Sequence, residues 1–280
     1  GEAFAKALFL TGRLGPIFAE QPKVGILVPP SVGGALVNWA VLLMGKIPVN
    51  LNYTLSQEGI ISCLEQCGIT DVVVSGKLME RLKLDLPVRV HTLEDLATAP
   101  RLTEKLRAGF LAKCTSSKGL LRRLGSSQVG QDDLATIIFS SGSTGQPKGV
   151  MLSHGGILSN CEGAREILDS LVKDDSPVFL TWLPLSHSYE HTVQYVQILL
   201  GAKVFYAESL ERLLLNMTIA KPTIMTAVPR FYQNLYTKIS LNFSKQKGLK
   251  KFLITNTILL GTKILNKESL GLKQKFINFF

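Results

Sequence analysis

Residues 134–153 read LATIIFSSGSTGQPKGVMLS, and this stretch decides the fold class. Leu134–Phe139 is an apolar run of the kind that forms a buried strand, and Gly149–Leu152 predicts a second strand. A loop rich in glycine and hydroxyl side chains, Ser140–Lys148, joins them. A buried strand that runs into such a loop is typical of α/β proteins that bind ligands at strand ends.

The composition of this loop favours a polyphosphate ligand. Glycines leave backbone N–H groups free to approach an anion, hydroxyls donate to phosphate oxygens, and Lys148 supplies a positive charge. The candidate nucleotide-binding residues are Ser140, Ser141, Gly142, Ser143, Thr144, Gly145 and Lys148.

Two well-known loop motifs, the Walker loop and the nucleophile elbow, do not match residues 140–149. A Walker loop requires GxxxxGK[ST], whereas Pro147 precedes Lys148 and Gly149 follows it. A nucleophile elbow requires G-x-S-x-G, which SSGSTG lacks. A generic Ser/Gly hairpin is the structural alternative.

The chain before this loop alternates strand and helix patterns. The predicted strands are Val24–Val28, Ile47–Leu51, Ile69–Ser75 and Val88–Thr92. Thr54 and Gln57 form a capping-box pattern for a helix that Gly68 closes. This alternation predicts mostly parallel sheets flanked by helices.

One window, residues 24–45, has no charged side chain and is long enough to span a bilayer. Pro29-Pro30 and Gly33-Gly34 interrupt it. These residues favour a buried strand, a turn and a buried helix over a membrane span.

The 280 residues are 46% hydrophobic, which excludes wholesale disorder. Composition and pattern divide the chain into an α/β subdomain, a basic amphipathic connector, an α/β subdomain with the phosphate loop, and a Lys-rich helical segment. The predicted limits are 1–97, 98–130, 131–240 and 241–280.

The net charge of +10 is local, because residues 101–125 carry seven basic side chains against one acid and residues 241–280 carry eight against one. Neither stretch contains a nucleic-acid-reading motif, so we expect no nucleic-acid partner. In the connector, Leu102, Leu106 and Phe110 recur at helical spacing. Two interpretations stay open for this segment: a solvated surface helix or a contact with a membrane surface.

The cysteines are typical of reduced thiols in a cytoplasmic protein. Cys63 and Cys67 are four residues apart and so share a helix face, and the four cysteines form no CxxC pair. No signal peptide is visible. The expected location is the cytoplasm, with peripheral association at the inner membrane as an extension of the two basic stretches.

The string SSGSTGQPKGVMLSH, residues 140–154, resembles the signature phosphate loop of the adenylate-forming superfamily. Other segments resemble further parts of long-chain fatty acyl synthetases, and the first half resembles bacterial acyl-carrier-protein synthetases. These segments are VGILVPPS at 24–31, LLMGKIPVNLN at 42–52, TWLPLSHSYEHT at 181–192 and TIMTAVPRFYQNLY at 223–236. The resemblance implies the N-terminal subdomains of that fold, incomplete at the C-terminus.

The resemblance also implies a reaction with ATP and Mg²⁺, in which a fatty acid becomes an acyl adenylate and then a thioester. The acceptor thiol would belong to CoA or an acyl carrier protein. On this view Thr144 and Lys148 act on the phosphates, Thr144 helps to orient Mg²⁺, and His187 lies near the reacting carboxylate. The implied acyl-pocket residues are Trp182, His187, Tyr189 and Glu190.

Two features leave the function open. His187 has a structural alternative, in which its ring forms a hydrogen bond with Glu190 or with a backbone carbonyl inside the fold. The given sequence also stops at Phe280, before the YGxTE-type, hinge and catalytic-lysine segments of the superfamily. We therefore expect the missing C-terminal half of the same enzyme to be a partner of this chain. The alternative is that the chain is a non-catalytic nucleotide- or acyl-binding module, or an inert fragment.

Overall fold

The computed structural model describes residues 1–141, 146–171 and 177–266. The chain divides into two compact units, Gly1–Thr226 and Ala227–Phe280. The predicted subdomain limits at 97, 130 and 240 stay predictions.

A mostly parallel sheet lies at the centre of the first unit. Its order is β4-β3-β1-β2-β5-β6, and every neighbouring pair is parallel except β5 and β6, which form an antiparallel hairpin. Its strands are β1 (Lys23–Leu27), β2 (Ile47–Asn50), β3 (Asp71–Val74), β4 (Arg89–Thr92), β5 (Leu134–Ser141) and β6 (Pro147–Ser153).

Seven helices accompany these strands: α1 (Glu2–Ile17), α2 (Val32–Leu43), α3 (Gln57–Cys67), α4 (Gly76–Leu82), α5 (Leu93–Ala97), α6 (Leu102–Cys114) and α7 (Ser117–Leu124). They bury apolar side chains on both faces of the sheet. Ile60 and Leu64 of α3 pack on one face, whereas Leu14 of α1 and Val37 and Val41 of α2 pack on the other. Burial on both faces explains why the strands are continuous apolar runs.

A second parallel sheet follows, with order β8-β7-β9. It consists of β7 (Val178–Thr181), β8 (Lys203–Tyr206) and β9 (Ile224–Met225), with helices α8 (His154–Leu171), α9 (Ser188–Leu199) and α10 (Leu213–Ala220). The second unit contains α11 (Pro229–Ser244) and α12 (Gly248–Leu265). The predicted α/β class is confirmed.

Local signals located the C-terminal end of α3 correctly and its N-terminal end wrongly. Gly68 closes α3 at φ 64°, as predicted, but the N-cap is Ser56, whose hydroxyl accepts from Gly59 N–H, and not Thr54. Thr54 instead donates both its N–H and its hydroxyl to Oδ1 of Asn52. The side-chain turn at Asn52 takes up Thr54 before the helix begins.

The uncharged window at 24–45 is β1, a turn and the buried helix α2, as predicted. Within the described ranges, no helix combines the length and apolar character needed to cross a membrane. Cys63 and Cys67 are both buried in α3, which confirms that they share a helix face.

The 98–130 segment forms α6 and α7, and α6 packs against α1. Ala108 and Leu111 are the buried residues of α6. The apolar series noted in the sequence faces solvent: Leu102, Leu106 and Phe110 are 71%, 63% and 59% exposed.

Candidate functional site

The β5–β6 hairpin carries the predicted phosphate loop beyond the main sheet. Ile138 of β5 pairs with Asn50, the last residue of β2, and β5 continues for three residues to Ser141. At ~3.3 Å per residue, the strand extends about 10 Å past its neighbour. Because β1 to β5 are parallel, this extension lies at the carboxyl edge, where open α/β sheets bind ligands.

The two ends of the loop are held in register by the hairpin. Ser140 pairs with Lys148 and Ser141 with Pro147, and the Ser140 hydroxyl lies 3.4 Å from the Lys148 carbonyl oxygen. Gly142, Ser143, Thr144 and Gly145 lie outside the described residues. Their predicted contacts with phosphate therefore stay predictions.

Lys148 is exposed at the start of β6 and forms no ion pair with any residue in the described part of the chain. An unpaired ammonium group beside the hairpin turn is available to an anionic ligand. This arrangement fits the predicted role of Lys148.

Buried polar side chains gather where α9 meets the carboxyl ends of β7 and β9. The Thr226 hydroxyl donates to Oε2 of Glu190 at 2.7 Å, and Nε2 of Gln197 donates to the Thr181 hydroxyl at 2.9 Å. Glu190 is fully buried, and burial raises its pKa to about 7. Its other carboxylate oxygen, Oε1, has no hydrogen-bond partner among the described residues.

His191 is the centre of a second buried group that links α9 to the main sheet. Its Nδ1 lies 3.4 Å from Nδ2 of Asn50 and 3.2 Å from Nε2 of Gln194, and its Nε2 lies 3.4 Å from the Tyr195 hydroxyl. Asn50 and Asn38 exchange two further hydrogen bonds. Burial lowers the pKa of His191 to about 4, so the ring is neutral near neutral pH.

Sequence reasoning assigned no role to His191, although a signal was present. His191, Gln194 and Tyr195 stand at i, i+3 and i+4, which places three polar side chains on one helix face. A second signal was the presence of two amide side chains, Asn38 and Asn50, within apolar segments, because such residues need polar partners when they are buried.

The four predicted acyl-pocket residues have different environments. Nε1 of Trp182 donates to the Thr226 carbonyl at 2.8 Å. His187 is the exposed N-cap of α9, and its Nδ1 accepts from Tyr189 N–H at 3.3 Å. Tyr189 is 51% exposed, whereas Glu190 is buried. Glu190 bonds to Thr226, and the described hydrogen bonds do not join it to His187.

An apolar cavity of about 830 Å³ lies along the next turns of α9, between this helix and α2. Its walls include Ala35, Trp39, Gln194, Tyr195 and Ile198. Two polar atoms among these residues, Nε1 of Trp39 and Oε1 of Gln194, are buried and have no hydrogen-bond partner among the described residues. This volume is within the range that holds small molecules in proteins.

No cluster of three or more His, Cys, Asp or Glu side chains suited to a metal ion occurs in residues 1–141, 146–171 and 177–266. The predicted Mg²⁺ contact of Thr144 falls on a residue that the structure does not describe.

Comparisons with known proteins agree with the fold. The chain is 28% identical over 240 residues to fatty acyl-CoA synthetase A of Dictyostelium discoideum, which covers 82% of this chain and 35% of the relative. It is 37% identical over 130 residues to long-chain-fatty-acid–CoA ligase 5 of Mus musculus, covering 46% of this chain and 19% of that enzyme. The chain thus spans about a third or less of the length of these relatives.

Among solved structures, o-succinylbenzoate CoA synthetase of Bacillus subtilis with its acyl-adenylate intermediate superposes at a TM-score of 0.65. The identity is 19%, and the match covers 84% of this chain and 57% of that chain, so the likeness concerns the fold. The same synthetase in complex with ATP and magnesium ion superposes at 0.63, with 19% identity and cover of 84% and 58%.

The AMP-binding enzyme family matches residues 3–277, almost the whole chain. The resemblance seen in the phosphate loop is thereby confirmed: this chain belongs to the AMP-binding enzyme family of adenylate-forming ligases, as an N-terminal portion.

Proposed function

We propose that this chain is the nucleotide- and acyl-binding part of a longer ATP-dependent fatty acid–thiol ligase that works in the cytoplasm. The observation that carries the proposal is the β5–β6 hairpin. It brings Ser140 and Lys148, which has no ion-pair partner in the described part of the chain, to the carboxyl edge of the parallel strands.

The proposed reaction has two steps. A fatty acid carboxylate oxygen attacks the α-phosphorus of ATP, and the bond to the β-phosphate oxygen breaks to give acyl-AMP and pyrophosphate. The thiol of CoA or an acyl carrier protein then attacks the acyl carbonyl, loses its proton and displaces AMP. Both steps depend mainly on positioning and on neutralising phosphate charge.

This chain would contribute the phosphate grip. In the proposal, Ser141, Gly142, Ser143, Thr144 and Gly145 hold the β- and γ-phosphates, and Thr144 helps to orient Mg²⁺. Lys148 offsets negative charge as pyrophosphate separates. Residues that act on the adenosine and assist adenylation would belong to the C-terminal half of the longer protein.

Two observations support a fatty acid as the acyl substrate. The curated relatives named above are fatty acyl-CoA synthetases. The apolar cavity along α9 also has enough volume for a long chain, and it begins one turn beyond Glu190. A short aromatic acid is the competing substrate.

ATP titration by calorimetry tests the phosphate grip. Lys148→Ala should weaken ATP binding roughly 10-fold or more, because a charge-assisted contact is lost. Lys203→Ala is the matched control, since Lys203 is also exposed on a strand but lies at the amino end of β8. Equal ATP affinity for the two variants would remove Lys148 from the site.

Pyrophosphate exchange in the complete ligase tests catalysis itself. Lys148→Ala should slow the exchange far more than it lowers the melting temperature. Unchanged exchange would refute the assignment.

Fluorescence of Trp39 tests the acyl cavity. The chain has two tryptophans, so a Trp182→Phe background leaves only Trp39, which lines the cavity. A 16-carbon acid should change this emission, and Ala35→Leu, which fills the cavity, should weaken the response more for the 16-carbon acid than for an 8-carbon acid. Equal weakening for both acids would show that the acyl chain of the ligand binds outside this cavity.

A further inference from the structure

Helix α6 presents an apolar ridge to solvent, formed by Leu102, Leu106 and Phe110. These three side chains are 59% to 71% exposed and stand four residues apart, so they lie along one face of the helix. The opposite face is buried, through Ala108 and Leu111. The ridge is therefore not part of the hydrophobic core.

Basic side chains border this ridge on both sides. Lys105 and Arg107 flank Leu106 in sequence, which places them roughly 100° to either side of it around the helix. Lys113 lies beyond Phe110 in the last turn, and all three basic residues are exposed. The outward face of α6 thus combines three apolar and three basic side chains.

The one acidic residue of α6 turns away from this face. Nε and Nη2 of Arg13 in α1 donate to Glu104 at 2.6 and 2.8 Å, and the backbone N–H of Arg101 donates to the same carboxylate at 2.7 Å. These contacts use the carboxylate and fix the rotation of α6 on α1. No acid in residues 105–125 offsets the basic border.

The charge pattern selects the occupant. A second copy of this chain would bring another set of positive charges against the first and be repelled. An anionic lipid surface offers both a negative surface potential for the basic border and an acyl boundary for the apolar ridge. We propose that the outward face of α6 docks on anionic lipid bilayers.

Vesicle sedimentation of the whole chain tests this proposal, with phosphatidylcholine vesicles compared with vesicles that also contain phosphatidylglycerol. The wild type should bind the anionic vesicles at least roughly tenfold more tightly, and high salt should remove the difference. Equal binding to both vesicle types, or no binding at low salt, would overturn the proposal. The latter result would favour an acidic protein partner for the ridge.

Two variants separate the ridge from its border. Leu106→Ala with Phe110→Ala should weaken anionic-vesicle binding roughly tenfold through lost apolar insertion, and Lys105→Gln with Arg107→Gln and Lys113→Gln should do the same through lost charge. All of these positions are exposed, so both variants should keep the wild-type melting temperature.

Matched controls show whether the location matters. Leu158→Ala removes a leucine of α8 that is 50% exposed, and Lys247→Gln with Lys250→Gln and Lys251→Gln removes three charges near α12. Neither control should change binding. A loss in the α12 control that equals the loss in α6 would overturn the assignment to α6. The ATP titration uses substitutions outside this face, so the phosphate-grip test stands or fails separately.

Discussion

The Thr226 hydroxyl donates a 2.7 Å hydrogen bond to Oε2 of Glu190 and so joins the residue after β9 to the first turn of α9. Glu190 is fully buried there and its second carboxylate oxygen is unpartnered within the described residues. Burial penalises the charged carboxylate more than hydrogen bonding favours it, which is why the pKa of Glu190 rises to about 7.

This relationship predicts a loss of stability as the pH rises. The folded pKa of about 7 lies above the ordinary value of 4.5, so the folded chain holds a proton that the unfolded chain releases between these values. The contribution of Glu190 to the free energy of unfolding is complete below its pKa in the unfolded chain and is lost as pH rises through its pKa in the folded chain. The free energy of unfolding should fall by about 1.4 kcal/mol per pH unit within the window.

Glu190→Gln isolates this effect, because an amide can still accept from Thr226 but cannot ionise. Urea unfolding at a series of pH values from 4.5 to above 7 should show the variant gaining stability relative to the wild type as pH rises. The lowered pKa of His191 acts oppositely in both proteins and so cancels in the difference. A difference that does not vary with pH would contradict the prediction.

Asp71 predicts the opposite dependence in acid. Hydrogen bonds from Arg89, at 2.7 and 2.8 Å, and from His91 and Thr70 hold its pKa at about 2, below the ordinary value of 3.8. The stabilisation by ionised Asp71 is present above its pKa in the unfolded chain and is lost as pH falls through its pKa in the folded chain. Asp71→Asn should therefore destabilise the chain at neutral pH and lose less stability below pH 3.8 than the wild type does.

The exposed Asp85 provides the control for that measurement. Asp85→Asn should leave the acid-unfolding curve unchanged. Identical curves for the two variants would show that the Arg89 and His91 contacts contribute nothing.

Two glycines with similar backbone angles predict different costs for alanine. Gly45 has φ 67° and Gly68 has φ 64°, so both substitutions carry the left-handed backbone cost of about 1 kcal/mol. A Cβ at Gly45 would also lie 3.2 Å from Cα of Ser126 and 3.3 Å from the Gly125 carbonyl oxygen, whereas nothing lies within 4 Å at Gly68. Gly45→Ala should lower the denaturant midpoint more than Gly68→Ala, and equal shifts would mean that the backbone after α7 yields freely.

The Asn38–Asn50 pair predicts a non-additive double substitution. Asn50→Leu removes both hydrogen bonds between Asn50 and the buried Asn38 amide, which should cost about 1–3 kcal/mol. Asn38→Leu with Asn50→Leu removes both amides and should cost less than the sum of the single changes, as measured by a double-mutant cycle in urea. Additive costs would show that the two amides do not act as a pair.

Most of the fold was predictable because its signals are local. The strand runs and the Gly68 end of α3 each depend on neighbouring residues. In the TIMTAVPRFYQNLY segment the strand is short, Ile224–Met225, because only these residues pair with β7. Helix α6 carries apolar side chains on both its buried and its exposed face, and the sequence pattern did not say which face would be buried.

The sequence by itself determined the family, through the string at residues 140–154, the α/β class and the shared helix face of Cys63 and Cys67, since these follow from short strings and spacings. Only the tertiary structure decided that His191 meets Asn50, 141 positions away, and that Glu190 meets Thr226. The physical reason is that periodicity reports which face of one element is apolar, whereas the partner of a buried polar group depends on how separate sheets and helices pack.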